Sequence, residues 1–488
     1  MTNKLSKKAL FNSLIALIFS ILMLGSIVFS MPIITEGVEV IDKWMNNWRS
    51  PVIACVAVVV LSTLIYTYLT VEYREVIAHP SKIIEVFLMG TVAFVLCFII
   101  GEYIDLAARP LSLFALLCVT IFKRRNAIFL NCVFSIALLI IDRYFWCYTD
   151  AATIIGMSPS YASFLVSFCV GIIAIFSFRA IKTRAASVLL AFILIAPTLF
   201  IQAITQLPVL VERSWHYLLD LLLYSMLNCV LSVLAYFFLL PIFELLFSEL
   251  TGFRLRELTS DSSKLVKRLK KNALGTYNHV VVVSQLVEAC ANAIGEDGEL
   301  ARAAAFYHDM GKLKNPEMFT ENQSGDYDMH RELSPELSVD IIRSHTRDGA
   351  KLIRKHRLPE FLATVAVEHH GTLPIKYFYA KALKMSDGEL NIENYSYSGP
   401  TPSSKISAII MIADAAEAAT RSLADRSPAN VEALVRSLIE ERIDLEQFVD
   451  CDITMRELTV IRGTIVSQLT GVYHSRVEYP KLTISKKK

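Results

Sequence analysis

The first half of the chain repeats apolar runs of about the ~20 residues that a helix needs to cross a bilayer. Eight runs lie near residues 9–32, 50–71, 83–101, 106–122, 126–142, 160–178, 186–206 and 217–247. The fourth run is the weakest, because it is short and contains Arg109 and Pro110. If the fourth and fifth runs form a re-entrant hairpin, six crossings remain, and the parity is unchanged. The pattern predicts a polytopic membrane region and excludes an ordinary soluble enzyme.

The charged residues divide the chain into two parts. Of the 48 Lys and Arg and 46 Asp and Glu residues, 29 fall in 1–247 and the other 65 in 248–488. The second part therefore has the charge density of a soluble domain, and it is long enough to bury its own core. The net charge of +2 does not favour DNA or RNA as a partner. We predict an anchor span and short outer loop at 1–49, a seven-helix bundle at 50–247, a connector helix at 248–275 and a soluble domain at 276–488.

Basic residues fall in alternate loops of the apolar half, and this bias predicts its orientation. The basic residues before the first span and after the second, fourth and sixth are Lys4, Lys7, Lys8, Arg74, Lys82, Lys123, Arg124, Arg125, Arg179, Lys182 and Arg184. All four tryptophans, at positions 44, 48, 146 and 215, fall in or beside the opposite loops. We therefore expect a multi-pass protein of the bacterial cytoplasmic membrane, with the N-terminus and the C-terminal domain in the cytoplasm.

Acidic residues in the membrane half lie mostly near the span ends, where water or headgroups solvate them. Those considered for an ion path are Glu85, Glu102, Asp105, Asp220 and Glu244. We recognise no central charged pair that would indicate an ion path. The sequence thus favours an anchoring or sensing role for this half rather than transport.

The soluble half has helical periodicity almost throughout, and no long run alternates with a period of two. Predicted helices cover 277–294, 298–310, 333–356, 359–370, 404–424, 428–441 and 454–470. The segment 376–403 is rich in Tyr, Ser, Gly and Pro and is predicted to be an excursion loop. The fold class is therefore all-α in both halves.

Histidine and aspartate residues carry the chemistry of the soluble half. A His-Asp pair, His308-Asp309, ends one apolar helix, and a His-His pair, His369-His370, ends another. Three further candidates lie on other helical segments: His279, His345 and Asp414. Seven nitrogen and oxygen ligands on five segments suit a site for two metal ions.

Several longer motifs surround these residues. They are GTYNH, YHDMGKLKNPEMFTENQ, LSPELS, RLPEF, VEHHGTLPIKYFYAKA, YSGPTPSSK and ADAAEAATRSL. In this order they resemble the membrane-anchored, seven-transmembrane HD-domain phosphodiesterases of bacteria, the PgpH-type family, which hydrolyse cyclic di-AMP. The family usually places a large extracellular domain between the first span and the next seven. Here that interval is only 33–49, so the family's extracellular sensing is in doubt.

The resemblance implies a role for each ligand. One ion is held by His279, His308, Asp309 and Asp414, and Asp309 bridges to a second ion held by His345, His369 and His370. Imidazole-rich ligation without thiolate favours Fe or Mn over structural zinc or plain Mg²⁺.

Other polar side chains near these motifs are weaker candidates. Lys312 is a candidate catalytic cation for the phosphate, although a lysine at a helix C-terminus is also favoured by the helix dipole. Substrate contacts are considered for His330, Tyr377 and Arg421. For these three, packing or a Glu417–Arg421 ion pair is the alternative interpretation.

The expected function is hydrolysis of cyclic di-AMP to linear 5′-pApA by a two-metal enzyme that is bound to a lipid bilayer, and homodimerisation stays open. Cyclic di-GMP is the alternative substrate, but the relatives that cleave it carry a Gly-Tyr-Pro motif that this chain lacks. A second alternative is a non-catalytic nucleotide receptor. An intact set of seven ligands favours the enzyme.

Overall fold

The structure is a computed structural model that describes residues 7–72, 80–144, 159–207, 215–323, 329–386 and 388–472. It divides into two compact units, residues 1–253 and 254–488. The described residues are helical and contain no β-strand, apart from an isolated bridge between Pro374 and Ser396. The prediction of an all-α fold class is confirmed.

The membrane unit is built from long apolar helices. In chain order they are α1 (Lys7–Glu36), α2 (Val38–Asn46), α3 (Arg49–Glu72), α4 (Ser81–Tyr103), α5 (Leu113–Ile121), α6 (Arg124–Tyr144), α7 (Pro159–Leu165), α8 (Gly171–Ser177), α9 (Leu189–Thr205) and α10 (Trp215–Leu246). A π-helical turn, Val166–Val170, joins α7 to α8. Many side chains on α1, α3, α9 and α10 are large, apolar and exposed, as a surface that faces lipid requires.

Seven of the eight predicted runs form helices that are long and apolar enough to cross a membrane. The fourth does not, because α5 has only nine residues and is preceded by a 3₁₀ turn, Leu106–Ala108, and a non-helical stretch. Proline at 110 explains the break, since it cannot donate a helix hydrogen bond. The expectation of eight full helical spans is therefore corrected to seven and one shorter helix within the described residues.

A buried ion pair joins the fourth run to the fifth. Two guanidinium nitrogens of Arg109 donate to the two carboxylate oxygens of Asp142, each at 2.8 Å, and both side chains are fully buried. Asp142 is the third residue from the end of α6, so this pair is buried but not at the centre of the bundle, and the absence of a central charged pair stays a prediction. The sequence pattern missed the pair because 33 residues separate its members.

The described residues of the second unit form ten α-helices, the first of which begins two residues before the unit. They are α11 (Gly252–Leu258), α12 (Lys264–Asn272), α13 (Leu274–Ile294), α14 (Gly298–Tyr307), α15 (Pro335–Lys355), α16 (Glu360–Glu368), α17 (Lys376–Met385), α18 (Lys405–Arg421), α19 (Pro428–Asp444) and α20 (Met455–Val472). Helix α14 begins at Asp297, whose carboxylate accepts from Leu300 N–H. Helix α15 begins in the same way at Ser334, and a proline follows at N1. These caps fix where the ligand-bearing helices start.

Three predicted segments differ from the structure. The loop predicted at 376–403 contains α17 and a 3₁₀ turn, Ile392–Tyr395, because Phe378 and Tyr395 are buried in a small apolar cluster. The connector at 248–275 holds two short helices, α11 and α12, and the first residues of α13, rather than one helix. The outer loop at 33–49 contains the amphipathic helix α2.

Candidate metal centre

The two dipeptides and the three single ligands meet at one point inside the second unit. His279 lies on α13, His308 and Asp309 follow α14, and His345 lies on α15. His369 and His370 follow α16, and Asp414 lies on α18. Five helical segments therefore converge, as the sequence predicts, and all of these side chains except those of His370 and Asp414 are buried.

The ligand atoms form two groups. His279, His308, Asp309 and Asp414 offer four atoms that all lie within 4.8 Å of one another, and His345, His369 and His370 form the second group. Asp309 lies between the groups. Its Oδ2 is 3.3 Å from His308 Nε2, and its Oδ1 is 3.3 Å from His345 Nε2. The two carboxylate oxygens thus face different clusters, which is the geometry that a bridging carboxylate needs.

Three buried ligand atoms lack a hydrogen-bond partner within the described residues. They are His308 Nε2 and both carboxylate oxygens of Asp309. An ammonium group, Lys312 Nζ, lies 2.8 Å from Asp309 Oδ2 as an ion pair. Buried polar atoms without hydrogen bonds are costly. Metal ions between the clusters would satisfy all three atoms, so the residues present fit such ions.

Hydrogen bonds to the second ring nitrogen orient the imidazoles. Nδ1 of His308, His345 and His369 meets the backbone carbonyl three residues earlier, at 2.6, 2.6 and 2.9 Å. Each therefore carries its proton on Nδ1 and turns Nε2 toward the centre of the site. For His279 the partner is a carboxylate, because Glu417 Oε2 lies 2.7 Å from its Nδ1. Glu417 is in turn paired with Arg421.

Electrostatics differ between the two clusters. Burial by itself lowers the pKa of His279 and His308, but the neighbouring carboxylates outweigh it. Asp414 and Glu417 raise the pKa of His279 to about 9, and Asp309 and Asp414 raise the pKa of His308 to about 10. The first cluster therefore holds protons when no metal is bound.

In the second cluster burial dominates. It lowers the pKa of His345 and, to about 3, the pKa of His370. Burial together with the nearby imidazoles places the pKa of His369 well below its usual range. This cluster presents three neutral imidazoles near neutral pH, which is the protonation state that binds metal.

Close packing at a glycine brings the His-Asp turn against α15. A Cβ on Gly311 would lie 1.8 Å from the backbone oxygen of His345. Only glycine permits this approach, which brings Asp309 next to His345.

Glu368 fastens the end of α16 to the start of α18. Its buried carboxylate accepts from Ser403 N–H at 3.1 Å, from Ser403 Oγ at 2.6 Å and from Ser407 Oγ at 2.8 Å. It precedes His369 in the chain, and α18 carries Asp414. One carboxylate therefore connects two ligand-bearing segments. The sequence analysis missed this role, although a glutamate before a His-His pair and a run of serines before the next helix were both visible.

A cleft of about 660 Å³ opens onto the clusters. Besides ligands, it is lined by Lys312, Glu321, Tyr397 and Arg421. Lys312 Nζ also lies 2.8 Å from Glu321 Oε1, and these carboxylates raise its pKa despite its burial. The ring of Tyr397 stacks on His370 with centroids 4.2 Å apart. Glu321 and Tyr397 were not singled out from the sequence, although both lie in the quoted motifs.

Of the three candidate substrate contacts, His330, Tyr377 and Arg421, the described lining of the cleft includes Arg421. His330 is buried, with Nε2 2.8 Å from the carbonyl oxygen of Met318 and its ring against Phe378. Tyr377 is 65% exposed and packs on Phe378. The structure does not bring His330 or Tyr377 to the cleft, and their contact with substrate stays a prediction. His356 is exposed, and His79 and His474 lie outside the described residues.

Residues 276–419 match the family model described as "HD domain". The second unit therefore contains an HD domain, and five helical segments of that domain bring the ligands together. The chain is also 44% identical over 245 residues to the cyclic-di-AMP phosphodiesterase PgpH of Bacillus subtilis, and 42% identical over 241 residues to that of Listeria monocytogenes. These alignments cover 50% and 49% of this chain, and 34% and 33% of the relatives.

The chain thus matches about a third of the length of these curated relatives. Two crystal structures of the L. monocytogenes PgpH HD domain, one of them in complex with cyclic di-AMP, are similar at 42% identity. They cover 43% and 44% of this chain and 99% of theirs, with TM-scores of 0.42. The resemblance to PgpH-type proteins that the motifs indicated is confirmed.

Proposed function

We propose that this chain is a membrane-anchored, metal-dependent phosphodiesterase that hydrolyses cyclic di-AMP to linear 5′-pApA. The observation that carries the proposal is the pair of ligand clusters that share Asp309 at the base of an open cleft. The named activity of the B. subtilis and L. monocytogenes relatives, at 44% and 42% identity, supports this substrate over cyclic di-GMP.

The proposed ligands comprise five imidazoles and two carboxylates, and Fe or Mn suits this set best. Two such ions, when bound, supply an activated water and neutralise charge on the phosphate oxygens. In the hydrolysis, the water oxygen bonds to phosphorus, the bond from phosphorus to the 3′-oxygen breaks, and the proton that the water gives up ends on the 3′-oxygen.

Side chains of the chain contribute the rest. Asp309 fixes the positions of the two clusters relative to each other, because its two carboxylate oxygens face different clusters. Lys312 presents a permanent positive charge at the wall of the cleft, where it offsets the negative charge of the phosphate. Glu321 keeps the ammonium group in place from the other side. Arg421 is a second cation on the cleft, and it is positioned by Glu417.

The orientation of the membrane unit is part of the proposal, with the N-terminus and the HD domain in the cytoplasm. Arg109 pairs with Asp142, which lies 18 residues after Arg124, the first residue of α6. At 1.5 Å per residue this is about 27 Å, close to the ~30 Å thickness of the hydrocarbon core. The fourth run therefore extends along nearly the whole of α6, although only its second part is helical. This supports an eighth crossing and an even number of passages.

The test is turnover by the purified chain with Mn²⁺ and a panel of cyclic dinucleotides, with the products identified by mass spectrometry. We expect cyclic di-AMP to give pApA at the highest rate. Preferential cleavage of cyclic di-GMP would show that cyclic di-GMP, rather than cyclic di-AMP, is the substrate. Binding of cyclic di-AMP by metal-loaded protein without any product would favour the receptor alternative.

A double variant connects the activity to the site. His308→Ala with Asp309→Ala should abolish turnover and lower the bound metal from two ions per chain to none, because Asp309 faces both clusters. His356→Ala is the matched control, since His356 is an exposed histidine at the end of α15. Two ions per chain in the double variant would contradict the assignment.

A further inference from the structure

The membrane unit contains a polar cavity that is unrelated to the metal centre. Its volume is about 370 Å³, within the range of sites for small molecules. It lies where the broken fourth run, α7, the π-helical turn, α9 and α10 come together. Its polar lining residues are Asp105, Ser163, Gln202, Thr205, Gln206, Tyr217, Asp220 and Tyr224.

Irregular backbone borders this cavity. Leu106 and Ala107 belong to the 3₁₀ turn ahead of α5, and Val166 begins the π-helical turn. The carbonyl oxygen of Ala107 has no helical partner, and it accepts instead from Gln202 Nε2 at 2.9 Å and Asn228 Nδ2 at 3.3 Å. Non-helical backbone is tolerated at membrane depth where it is buried in protein or lines a cavity, and π-helical turns concentrate at functional sites. Both irregularities occur where this cavity lies.

The charge of the cavity wall is negative. Asp105 and Asp220 are the charged residues among its described lining, which includes no Lys, Arg or His. Arg109, which donates to the lining residue Ser163, is paired with Asp142 through two further hydrogen bonds. The charged side chains of the described lining are therefore both acidic, which favours a cation.

One face of α10 supplies much of the wall. Tyr217, Asp220, Leu221 and Tyr224 recur at i, i+3, i+4 and i+7, so they align on one side of the helix. Within the described residues, the Asp220 carboxylate, the Tyr224 hydroxyl and the Gln206 side-chain amide make no hydrogen bond or ion pair. Asp220 is exposed near the start of α10, where a ligand can reach its carboxylate, and tyrosine rings attract cations.

We propose that this cavity binds a small organic cation, a primary or quaternary amine. Asp220 and Asp105 are the counter-ions, the rings of Tyr217 and Tyr224 face the cation, and Gln206 accepts a hydrogen bond from an amine. A divalent metal ion fits less well, because neither group of three or more converging His, Cys, Asp or Glu side chains in the described part of the chain includes Asp105 or Asp220. The proposal does not depend on the hydrolytic activity, since no residue of the metal centre takes part.

The test measures thermal unfolding of the full chain in lipid nanodiscs by tryptophan fluorescence. All four tryptophans lie in residues 1–247, so the signal reports the membrane unit. The probes are tetramethylammonium and 1,4-diaminobutane, with 1,4-butanediol as the neutral analogue and Ca²⁺ as the inorganic cation. We expect at least one of the amines to raise Tm by about 3 °C or more at saturation, and butanediol and Ca²⁺ to have no effect.

Two variants and a control locate the effect. Asp220→Asn should raise the half-saturating concentration of the amine about tenfold or more, because it removes an ionic contact. Asp42→Asn, an exposed carboxylate on α2 of the same unit, should leave it unchanged. Tyr224→Leu should also weaken binding, and it provides the test should Asp220→Asn fail to fold.

Four outcomes would overturn the proposal. They are no shift with either amine, an equal shift with butanediol, a shift with Ca²⁺ alone, and an unchanged amine shift in the Asp220 and Tyr224 variants.

Discussion

Replacing Glu368 by glutamine tests whether one buried carboxylate holds the two halves of the metal centre together. The side chain is 4% exposed and accepts three hydrogen bonds from Ser403 and Ser407. A hydrogen bond to a charged group contributes about 1.5–3 kcal/mol and a neutral one about 0.5–1.5, so three bonds lose about 3–4 kcal/mol together. A neutral amide costs less to bury, and this offsets part of the loss. We expect a net destabilisation of about 2 kcal/mol.

The assay is thermal unfolding of the metal-loaded unit, residues 254–488, with metal content measured in parallel. About 2 kcal/mol corresponds to a fall in Tm of about 4–8 °C for a domain of this size. We also expect about tenfold weaker metal binding, because the end of α16 carries His369 and α18 carries Asp414.

Glu360→Gln is the control for this experiment. Glu360 lies in the first turn of the same helix and makes an exposed ion pair with Arg354. It should change stability by no more than about 0.5 kcal/mol. If Glu368→Gln matched this control in both Tm and metal affinity, Glu368 would not position the ligands.

Three further predictions follow from other features. Gly311→Ala should unfold the site and lose metal, because the new Cβ would meet the backbone of His345. Gly463→Ala is the control: nothing lies close to its Cβ position, and the change should raise the stability by about 0.5–1 kcal/mol. Metal content and Tm are measured for both variants. Metal binding at pH 7 should release about two protons, because the metal-free pKa values of His279 and His308, about 9 and about 10, keep both protonated below those values. Metal affinity should therefore rise with pH up to about 10, and calorimetry that finds no proton release in buffers of different ionisation enthalpy would contradict this prediction. Reporters fused at the N-terminus and after residue 247 should both report a cytoplasmic location, and a reporter in 33–49 should report an external one. If the N-terminal reporter and the reporter after residue 247 lay on opposite sides of the membrane, an even number of crossings would be refuted.

The sequence predicted the convergence of the candidate ligands because all of them except His345 lie in the quoted local motifs. A His-Asp or His-His pair beside a glycine is visible without any knowledge of the fold, and the family motifs supplied the order. The helices of the second half were predictable for the same reason, since the periodicity and the caps at Asp297 and Ser334 are local.

What the sequence could not supply is pairing over distance. Arg109 was noted only as a weakness of the fourth run, Asp142 was not singled out, and nothing in either segment indicates the partner. Helix α17 was missed because its glycine- and serine-rich surroundings resemble a loop, while burial of Phe378 and Tyr395 against Val339 stabilises it from outside the segment. In both cases tertiary contacts outweigh the local pattern.

The ion pair between Arg109 and Asp142 also constrains how the chain enters the membrane. Arg109 lies ahead of α5, near one end of the hydrocarbon core, and the nine residues of α5 are too few to cross the bilayer by themselves. The fourth run therefore cannot leave the insertion machinery alone. It must wait until the fifth run has been synthesised and Asp142 can neutralise the guanidinium, so that the two segments partition into lipid as one helical hairpin. The fourth and fifth runs are then inserted together at this step rather than one after the other.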